Sequence, residues 1–452
     1  MPVMKWKMKL EPITITKIIN GGYGLGHLPS GRIILVRLVL PGEVVTATTE
    51  KTKKTFVSGE ARQILAAHPA RRVPPCRYVG LCGGCDLQHC DYPSQLTIKK
   101  EIVLDLLSRS ENEEIRETVG LLAEPIAAPD DFGYRQRIRL QVTERGELGF
   151  HRFHSHAVVP IDVCLLARKE ENNALAALKS HPDGRKLTGN SREVELQANP
   201  ATGKTVVIFR LVRKPRPADI QSAERFCREQ GGIERVFLAG EFFPLMGPYG
   251  PKAEAADNRL TVHYPAIAGQ QGDFTLSWEA GGFCQVNLAQ NINLIATVLD
   301  FCQVEATDRV LDLFCGMGNF AIPLAMKARK VLGIEGQGSA IRSATGNAAA
   351  AGLDNVCFRK SPIHDACREL VADGRIFDCV VIDPPRQGAP DLAAHLAAIT
   401  RRRLVYISCD PATLCRDLAD LSEHGFAISK IQPVDMFPQT HHIETVVLLD
   451  RR

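Results

Sequence analysis

The sequence lacks any uncharged apolar run that approaches the ~18 residues needed for a membrane-spanning helix. It also lacks a recognisable export signal, because Met1–Leu10 is too short and too charged to be a signal peptide. The net charge is only +4, so the chain as a whole is not strongly basic. We therefore expect neither a membrane-spanning nor a secreted protein, and predict a cytoplasmic one.

The number of cysteines and the distribution of charged residues, in contrast, are informative. Fourteen cysteines without a secretion signal favour reduced thiols that bind metal or catalyse, and argue against a disulfide framework. Residues 1–100 carry 15 Lys and Arg against 6 Asp and Glu, whereas the rest carries 40 against 45. A basic front on a nearly neutral body suits a polyanion-binding module attached to an enzyme, although a solvated charged surface explains the same bias. The length of 452 residues allows two or three cored domains.

The segment Arg309–Phe320, RVLDLFCGMGNF, is the one around which the chain is organised. A short apolar strand runs directly into Gly316, Gly318 and Asn319, which is typical of the opening of a doubly wound α/β sheet. The third glycine of a dinucleotide fingerprint is absent, so S-adenosylmethionine (SAM) fits better than nicotinamide. Glu335 ends the next predicted strand and is expected to hold the ribose hydroxyls of SAM. Ordinary α/β packing is the alternative.

Strands and helices alternate from Val331 to Leu449, which predicts an α/β domain, and three reactive side chains follow its strands. Asp383 begins the segment DPPR, Cys409 lies in YISCDPATLC, and Glu444 lies in HHIET. Uracil C5 is too weak a nucleophile to take a methyl group directly, whereas thiolate addition at C6 activates it and a base must then remove the C5 proton. Cys409, Glu444 and a SAM site supply these functions, although a buried structural cysteine is the ordinary alternative for Cys409.

The N-terminal part has the pattern of a small β-barrel. Residues 9–65 contain evenly spaced short strands, and the segment GGYGLG precedes a strand and not a helix. We therefore interpret those glycines as a hairpin turn and not as a phosphate loop. The pattern IxxGGYGLGHLPSGRIILVRLVLPGE resembles a TRAM domain, a small RNA-binding barrel appended to RNA-modifying enzymes.

A cysteine-rich segment follows the barrel. Cys76, Cys82 and Cys85 are closely spaced and separated by glycines, which predicts thiols directed at one metal centre. The fourth ligand must come from elsewhere, and Cys90 is the nearest cysteine. Zinc and unliganded thiols remain alternatives, while the spacing differs from the CxxxCxxC of radical SAM enzymes.

Three further segments could contact RNA or a cofactor. Tyr134–Leu140 alternates so that Arg135, Arg137 and Arg139 share one strand face, which predicts either a phosphate-binding stripe or a solvated edge. GFHRFHSH brings three histidines close together; metal binding is one interpretation, but no acidic partner with ligand spacing accompanies them, so we favour a loop or strand near the RNA. The amide of Gln285, in GGFCQVN, could contact a base edge or the cofactor, or could simply begin a helix.

Taken together, the sequence resembles the SAM-dependent RNA uracil-C5-methyltransferases that carry a TRAM domain and an iron–sulfur cluster. The matching motifs are Cx5CGGCx2QH, FCQVN, DLFCGMGNF, DPPRQG, YISCDPATLCRD and HHIET. The resemblance implies that Cys409 is the nucleophile and Glu444 the base. It implies cofactor-site or substrate-site roles for Gln285, Phe314, Gly316, Asn319, Glu335 and Asp383, and a [4Fe–4S] cluster on Cys76, Cys82, Cys85 and Cys164.

The resemblance also implies a domain plan and a substrate. We expect an RNA-binding barrel at 1–70, a central α+β domain with the cluster at 71–92 and 121–280, and a Rossmann-like class I SAM methyltransferase domain at 93–120 and 281–452. The expected substrate is RNA, with 23S ribosomal RNA first and transfer RNA second, and the expected state is a monomer. Two competing hypotheses are methylation of cytosine C5 and a non-catalytic protein that binds RNA during assembly.

Two positions depart from the family pattern. Asp410 replaces an asparagine beside the nucleophile, and its charge would raise the thiol pKa unless Arg386 or Arg416 offsets it. The polar residue that usually contacts the cofactor in the family falls near Ser361 in this sequence. The next residue here is Pro362, which has no amide hydrogen. We therefore expect adenine binding to differ there.

Overall fold

The computed structural model describes residues 12–250, 258–267 and 272–452, so the expected absence of a signal peptide at Met1–Leu10 concerns residues outside the described ones. The first unit is a closed five-stranded barrel in the order β1-β2-β3-β5-β4. Alternate side chains such as Ile13, Ile15, Ile34 and Val36 fill its interior, as the period-2 pattern of a half-buried strand requires. Its strands are β1 Pro12–Ile19, β2 Tyr23–His27, β3 Ile33–Arg37, β4 Val44–Thr52 and β5 Phe56–Ala66.

The glycine segment of the barrel is a hairpin turn. Strands β1 and β2 pair antiparallel, and Gly21 and Gly22 connect them with φ of 94° and 76°. No helix follows, so the interpretation as a turn and not a phosphate loop is confirmed.

The second unit is a seven-stranded sheet in the order β12-β11-β10-β9-β6-β7-β8. Three helices cover one face of it, around a core that includes Leu175, Phe209 and Phe226. Its strands are β6 Arg137–Val142, β7 Leu148–His151, β8 Val158–Pro160, β9 Ser191–Asn199, β10 Lys204–Leu211, β11 Ile233–Gly240 and β12 Phe243–Tyr249. Its helices are α3 Lys169–Ser180, α4 Pro182–Gly189 and α5 Pro217–Glu229.

A two-stranded hairpin, β13 Arg259–Tyr264 and β14 Phe274–Glu279, joins the central sheet to the C-terminal unit. Its apolar face, which includes Leu260 and Trp278, shares one core with Leu294 and Val310 of the C-terminal unit. We predicted a domain boundary at position 280, with the hairpin on the side of the central domain. The hairpin instead shares a core with residues that follow this boundary. The boundaries themselves stay a prediction.

The third unit is a seven-stranded sheet in the order β17-β16-β15-β18-β19-β21-β20. Six strands run in one direction, and β21 inserts antiparallel between β19 and β20. All six residues of β18 are buried, because helices cover both faces of such a sheet. The strands are β15 Arg309–Leu313, β16 Lys330–Glu335, β17 Val356–Lys360, β18 Phe377–Ile382, β19 Thr400–Ser408, β20 Phe426–Val434 and β21 Glu444–Arg451.

The helices of this unit follow the predicted alternation, and the expected class I methyltransferase topology is confirmed. The helix α1 also packs here through Val103 and Leu107, while Ile98 and Ile102 contact the barrel side. Within the described residues, no helix combines the length and the apolar character needed to cross a membrane. The helices are α1 Tyr92–Ser108, α2 Glu113–Glu117, α6 Leu288–Cys302, α7 Ala321–Ala325, α8 Gly338–Ala350, α9 Ile363–Ala372, α10 Ala393–Ile399 and α11 Pro411–Glu423.

Candidate active site

A cavity of about 590 Å³ opens at the carboxyl ends of the parallel strands of the third unit. This is the edge at which ligands bind in doubly wound sheets. The structure brings all eight residues that we predicted for catalysis or cofactor binding into its lining. They are Gln285, Phe314, Gly316, Asn319, Glu335, Asp383, Cys409 and Glu444.

One half of the cavity lies over the turn after β15. Phe314 has a φ of 61°, a left-handed conformation that is unusual for a bulky residue and marks strain at functional sites. The Glu335 carboxylate at the end of β16 is fixed by two backbone donors, the N–H of Gly316 at 3.3 Å and that of Gln337 at 2.8 Å. Asn319 exchanges amide hydrogen bonds with the buried Asn291. These side chains are therefore held in place before any ligand arrives.

The backbone beside this half has few free donors. The N–H of Ser361 donates to the carbonyl of Glu335 at 3.0 Å, and Pro362, which precedes α9 as its N-cap, has no N–H. Neither backbone amide can bind a ligand, which supports the expectation that adenine recognition departs from the family pattern here. That expectation stays a prediction.

The other half of the cavity contains the thiol and two carboxyl groups. Cys409 follows β19, and the pairing of Ser408 with Thr445 places it beside the first residue of the antiparallel β21, Glu444. Burial and the nearby Glu444 and Asp383 raise the pKa of the Cys409 thiol to about 12, whereas Arg386 lowers it. Burial raises the pKa of Asp383 to about 7, and burial together with Asp383 raises that of Glu444 to about 8.

These shifted groups suit proton transfer near neutral pH. A carboxylate with a pKa near 8 is a far stronger base than an ordinary glutamate, and a buried pair of acids in a cleft is typical of a functional site. The same burial holds the free thiol in its neutral form, so any reaction through it requires positive charge nearby. Arg386 lines the cavity and supplies such a charge.

Asp410 acts differently from our expectation. Its carboxylate caps α11 and accepts hydrogen bonds from the N–H groups of Ala412 at 2.9 Å and Thr413 at 3.1 Å. Helix N-termini stabilise such a negative charge, and an asparagine would fill the same capping role. The carboxylates that raise the Cys409 pKa are instead Glu444 and Asp383, which lie in the same half of the cavity. Arg386 is the cation that lowers the Cys409 pKa, while Arg416 is engaged with Asp417 and the carbonyl of Gln387.

Sequence reasoning assigned no role to several further residues of this lining, including Phe283, Phe437 and His442. Phe283 is 64% exposed and Phe437 is partly buried, so aromatic surface faces the opening. Burial and the neighbouring His441 and Arg386 lower the pKa of His442 to about 3, which keeps its ring neutral. These residues stand inside or beside the quoted motifs, but only the fold shows that they line the same cavity as the thiol.

A second cavity, of about 70 Å³, is lined by Cys76, Cys82, Cys85 and Cys164. The remaining lining is mostly apolar and includes Ile138 and Phe150. Cys90, the nearest alternative in sequence, lies elsewhere: it is fully buried in the core between the barrel and α1. Among the described residues, no group of three or more His, Cys, Asp or Glu side chains has an arrangement that could hold a metal ion.

The predicted arginine stripe does not form a free phosphate-binding face. Arg137 and Arg139 both make ion pairs with the buried Glu195 of β9, and Arg137 also donates to the carbonyls of Gly281 and Gly282. Arg135 lines the cysteine cavity. The strand alternation itself is as predicted, but its guanidinium groups stabilise the central sheet.

Comparison with known proteins shows the family to which the chain belongs. A model of the family described as tRNA (Uracil-5-)-methyltransferase matches residues 265–452. The 23S rRNA (uracil(1939)-C(5))-methyltransferase RlmD of Pseudomonas aeruginosa is 32% identical over 449 residues, which cover 98% of this chain and 94% of the relative. An uncharacterized RNA methyltransferase of Aquifex aeolicus is 31% identical over 98% of this chain and 99% of its own.

A solved structure agrees with the whole architecture. The Pyrococcus abyssi tRNA (uracil-54, C5)-methyltransferase, in complex with S-adenosyl-L-homocysteine, superposes with a TM-score of 0.71. It is 25% identical and the match covers 97% of this chain and 100% of that one. Full-length similarity, shared architecture and the SAM-type cavity lead to one conclusion: this chain belongs to the SAM-dependent RNA uracil-C5-methyltransferases.

Proposed function

We propose that this protein transfers a methyl group from SAM to C5 of a uridine in 23S ribosomal RNA. The observation that carries the proposal is the single cavity that contains Cys409, Asp383 and Glu444 together with the fixed carboxylate of Glu335. Ribosomal RNA is favoured because relatives that match over nearly the full chain are named as 23S rRNA enzymes. An enzyme with this substrate would act in the cytoplasm, and nothing in the reaction requires more than one copy of the chain.

The residues of the cavity divide the reaction between them. The Cys409 sulfur forms a bond to C6 of uracil, which makes C5 nucleophilic towards the methyl group that SAM supplies. Glu444 then takes the C5 proton, and the C6–S bond breaks to release the thiolate and restore the C5–C6 double bond. Arg386 favours the thiolate both before it adds and after it leaves, since it is the cation that lowers the Cys409 pKa. Glu335 is in position to accept hydrogen bonds from ribose hydroxyls.

The uridine must leave its base stack to reach this cavity. Phe283 and Phe437 at the opening offer aromatic surface on which a base can stack. The amide of Gln285 lies in the same lining and can bond to a base edge. On the barrel side, Arg37 lies over the ring of Phe153 at 3.6 Å from its centroid, and the exposed His154 stacks on Tyr23. Arg37 itself is buried, so we propose that the exposed His154 and the rings beside it contact the RNA.

Methylation of defined RNA substrates tests the proposal. With methyl-labelled SAM, we expect label in 23S ribosomal RNA transcripts and none in transfer RNA transcripts, and 5-methyluridine as the labelled nucleoside by mass spectrometry. Transfer RNA is the second candidate, because the superposed Pyrococcus structure is named for that substrate. Label in transfer RNA alone would overturn the ribosomal assignment, and 5-methylcytosine would overturn the uracil assignment.

We also propose that Cys76, Cys82, Cys85 and Cys164 bind a [4Fe–4S] cluster. Four thiols around one apolar cavity form the donor set that such clusters require. A single zinc ion, with Zn–S bonds of about 2.3 Å, is the alternative occupant of the same four thiols. The group would tie Cys164 of the central unit to the segment that follows the barrel.

Optical absorption of anaerobically purified protein tests this assignment. We expect a brown protein with broad visible absorption, which Cys164→Ser abolishes and Cys90→Ser leaves intact. Cys90 is the matched control because it lies near the same loop but outside the cavity. A colourless protein that contains one equivalent of zinc would overturn the cluster and leave the methyltransferase assignment untouched.

A further inference from the structure

Asp86, the residue after Cys85, binds a residue of the segment that leads to Glu444. Its Oδ1 accepts the backbone N–H of His441 at 2.8 Å, and its Oδ2 pairs with Nδ1 of the His441 ring. Both side chains are mostly buried, at 14% and 16% exposure. The cysteine-rich segment and the end of the catalytic sheet are 355 residues apart in sequence, yet this pair joins them directly.

Backbone contacts strengthen the same junction. The N–H groups of Asp86 and Leu87 both donate to the carbonyl of Gln439, at 3.2 and 3.1 Å. The side-chain oxygen of Gln439 accepts from Arg72 at 3.1 Å and from Gln95 at 2.9 Å. Gln439 is fully buried and has a φ of 70°, so the chain turns sharply here and depends on these partners.

A short series of ring contacts leads from the pair to the active-site cavity. The rings of His441 and His442 lie 4.1 Å apart, and His442 meets the ring of Phe437 edge-on at 6.0 Å. Nη2 of Arg386 lies 3.5 Å from Nε2 of His442. His442, Phe437 and Arg386 line the cavity, and Glu444 follows His442 by two residues. A displacement of His441 would therefore be transmitted to groups that face the substrate.

The barrel contacts the pair as well. A Cβ added to Gly22, in the hairpin turn, would lie 2.9 Å from Oδ2 of Asp86 and 3.1 Å from Nδ1 of His441. The turn thus packs directly against the two side chains, and only glycine leaves room for both. Three parts of the chain meet at this point: the barrel, the cysteine-rich segment and the catalytic sheet.

We propose that Asp86 and His441 are positioning residues, which hold His442 and Glu444 at the geometry needed for proton removal. Neither lines the active-site cavity. They act by fixing the start of β21 to the cysteine-rich segment. Disorder in that segment would therefore displace the carboxylate of Glu444. The proposal rests on the proposed role of Glu444. A misplacement of a catalytic group by about 1 Å costs on the order of 10²-fold in rate, which sets the scale of the expected effect.

Asp86→Ala and His441→Ala test the pair, with Asp162→Ala as control. Asp162 also bonds to the cysteine-rich segment, through Tyr78 at 3.2 Å, but it belongs to the central unit. For each pair variant we expect kcat about 10- to 100-fold lower. We expect the KM for SAM to stay within about twofold of that of the unsubstituted protein, and the covalent protein–RNA adduct to accumulate. The double variant should be no slower than either single variant. Asp86→Asn, which keeps an acceptor for the His441 N–H, should recover part of the rate.

Amide hydrogen exchange supplies a readout independent of turnover. In Asp86→Ala, we expect faster exchange in residues 437–444, and in His441→Ala, faster exchange in residues 83–89. A kcat within twofold of the unsubstituted protein would overturn the proposal. So would a slower rate without extra adduct, because a general structural defect does not stall the reaction at proton removal. If Glu444→Gln itself traps no adduct, Glu444 is not the base. In that case the adduct measurement no longer tests the Asp86–His441 pair, and the amide hydrogen exchange results alone decide whether the pair fixes the start of β21.

Gly22→Ala and Gly31→Ala form a second, matched test in the barrel. Both glycines have similar positive φ values, 76° and 79°, so both substitutions carry the same conformational cost. A Cβ at Gly31 meets nothing within 4 Å, whereas one at Gly22 meets the pair. We expect Gly22→Ala to lower kcat at least fivefold more than Gly31→Ala. Equal effects would show that the pair does not depend on the barrel contact and would overturn that part of the proposal.

Discussion

Cys409→Ala is expected to reduce methyl transfer by roughly 10³-fold or more and to eliminate any covalent protein–RNA species, because it removes the atom that bonds to C6. The substitution leaves the Glu335 side of the cavity unchanged, so SAM should bind with an affinity within about twofold of that of the unsubstituted protein. Turnover is measured with methyl-labelled SAM, the adduct on a denaturing gel and SAM affinity by calorimetry.

Cys415→Ala is the control for that experiment. Cys415 lies on α11, six residues after the nucleophile, and burial and Asp410 raise its thiol pKa to about 12 as well. It does not line the active-site cavity. Comparable losses in the two variants would mean that the thiol of Cys409 has a packing role. Undiminished turnover in Cys409→Ala would contradict the nucleophile assignment.

The active site was largely predictable because its residues follow buried strands. A strand such as Phe377–Ile382 is apolar for most of its length, so its end, and therefore Asp383, can be located from the sequence alone. The position of Glu444 depends in addition on the direction of the last strand, which no local pattern fixes. Glu444 reaches the cavity because β21 runs antiparallel to β19, so that its first residue lies where β19 ends.

Contacts between distant segments were not predictable. Arg137 and Arg139 carry the alternation of an exposed face, but their partner Glu195 lies 56 residues beyond Arg139. Nothing local to residues 134–140 distinguishes a guanidinium that binds phosphate from one that binds a buried carboxylate. The Asp86–His441 pair is the extreme case, because the two residues stand in separate quoted motifs and only the fold shows that they meet.

The role of Asp410 as the N-cap of α11 was also not predicted from the sequence. A charged residue beside a nucleophile predicts an electrostatic effect, and only backbone geometry shows where its oxygens point. The Asp410 carboxylate is occupied by two N–H groups of α11. The charges that matter for Cys409 come from residues that are remote in sequence.

Glu444→Gln is expected to trap the reaction after methyl transfer. At that stage C5 carries both the methyl group and its original proton, and the C6–S bond cannot break until the proton leaves. Glutamine has the shape of the glutamate side chain but cannot accept the proton, so kcat should fall by about 10²- to 10⁴-fold. The methylated RNA should remain bonded to Cys409, and a labelled protein–RNA band should survive denaturing electrophoresis.

The pH dependence of stability provides the control for Glu444→Gln, because the chain has a second glutamate with the same shift. Burial raises the pKa of both Glu444 and Glu171 from 4.5 to about 8. Each is protonated in the folded state at pH values where it is ionised in the unfolded chain. The stability that each contributes is therefore complete below pH 4.5 and is lost as the pH rises towards 8.

Glu171→Gln and Glu444→Gln should therefore both flatten the fall in melting temperature between about pH 5 and pH 8. Glu171 lies in the central unit, where it accepts the N–H of Ala198 at 3.1 Å, far from the thiol in sequence and outside its cavity. Only Glu444→Gln should trap the labelled adduct. An adduct in both variants would indicate a general effect of removing a buried acid, whereas an adduct in neither would remove Glu444 from proton transfer.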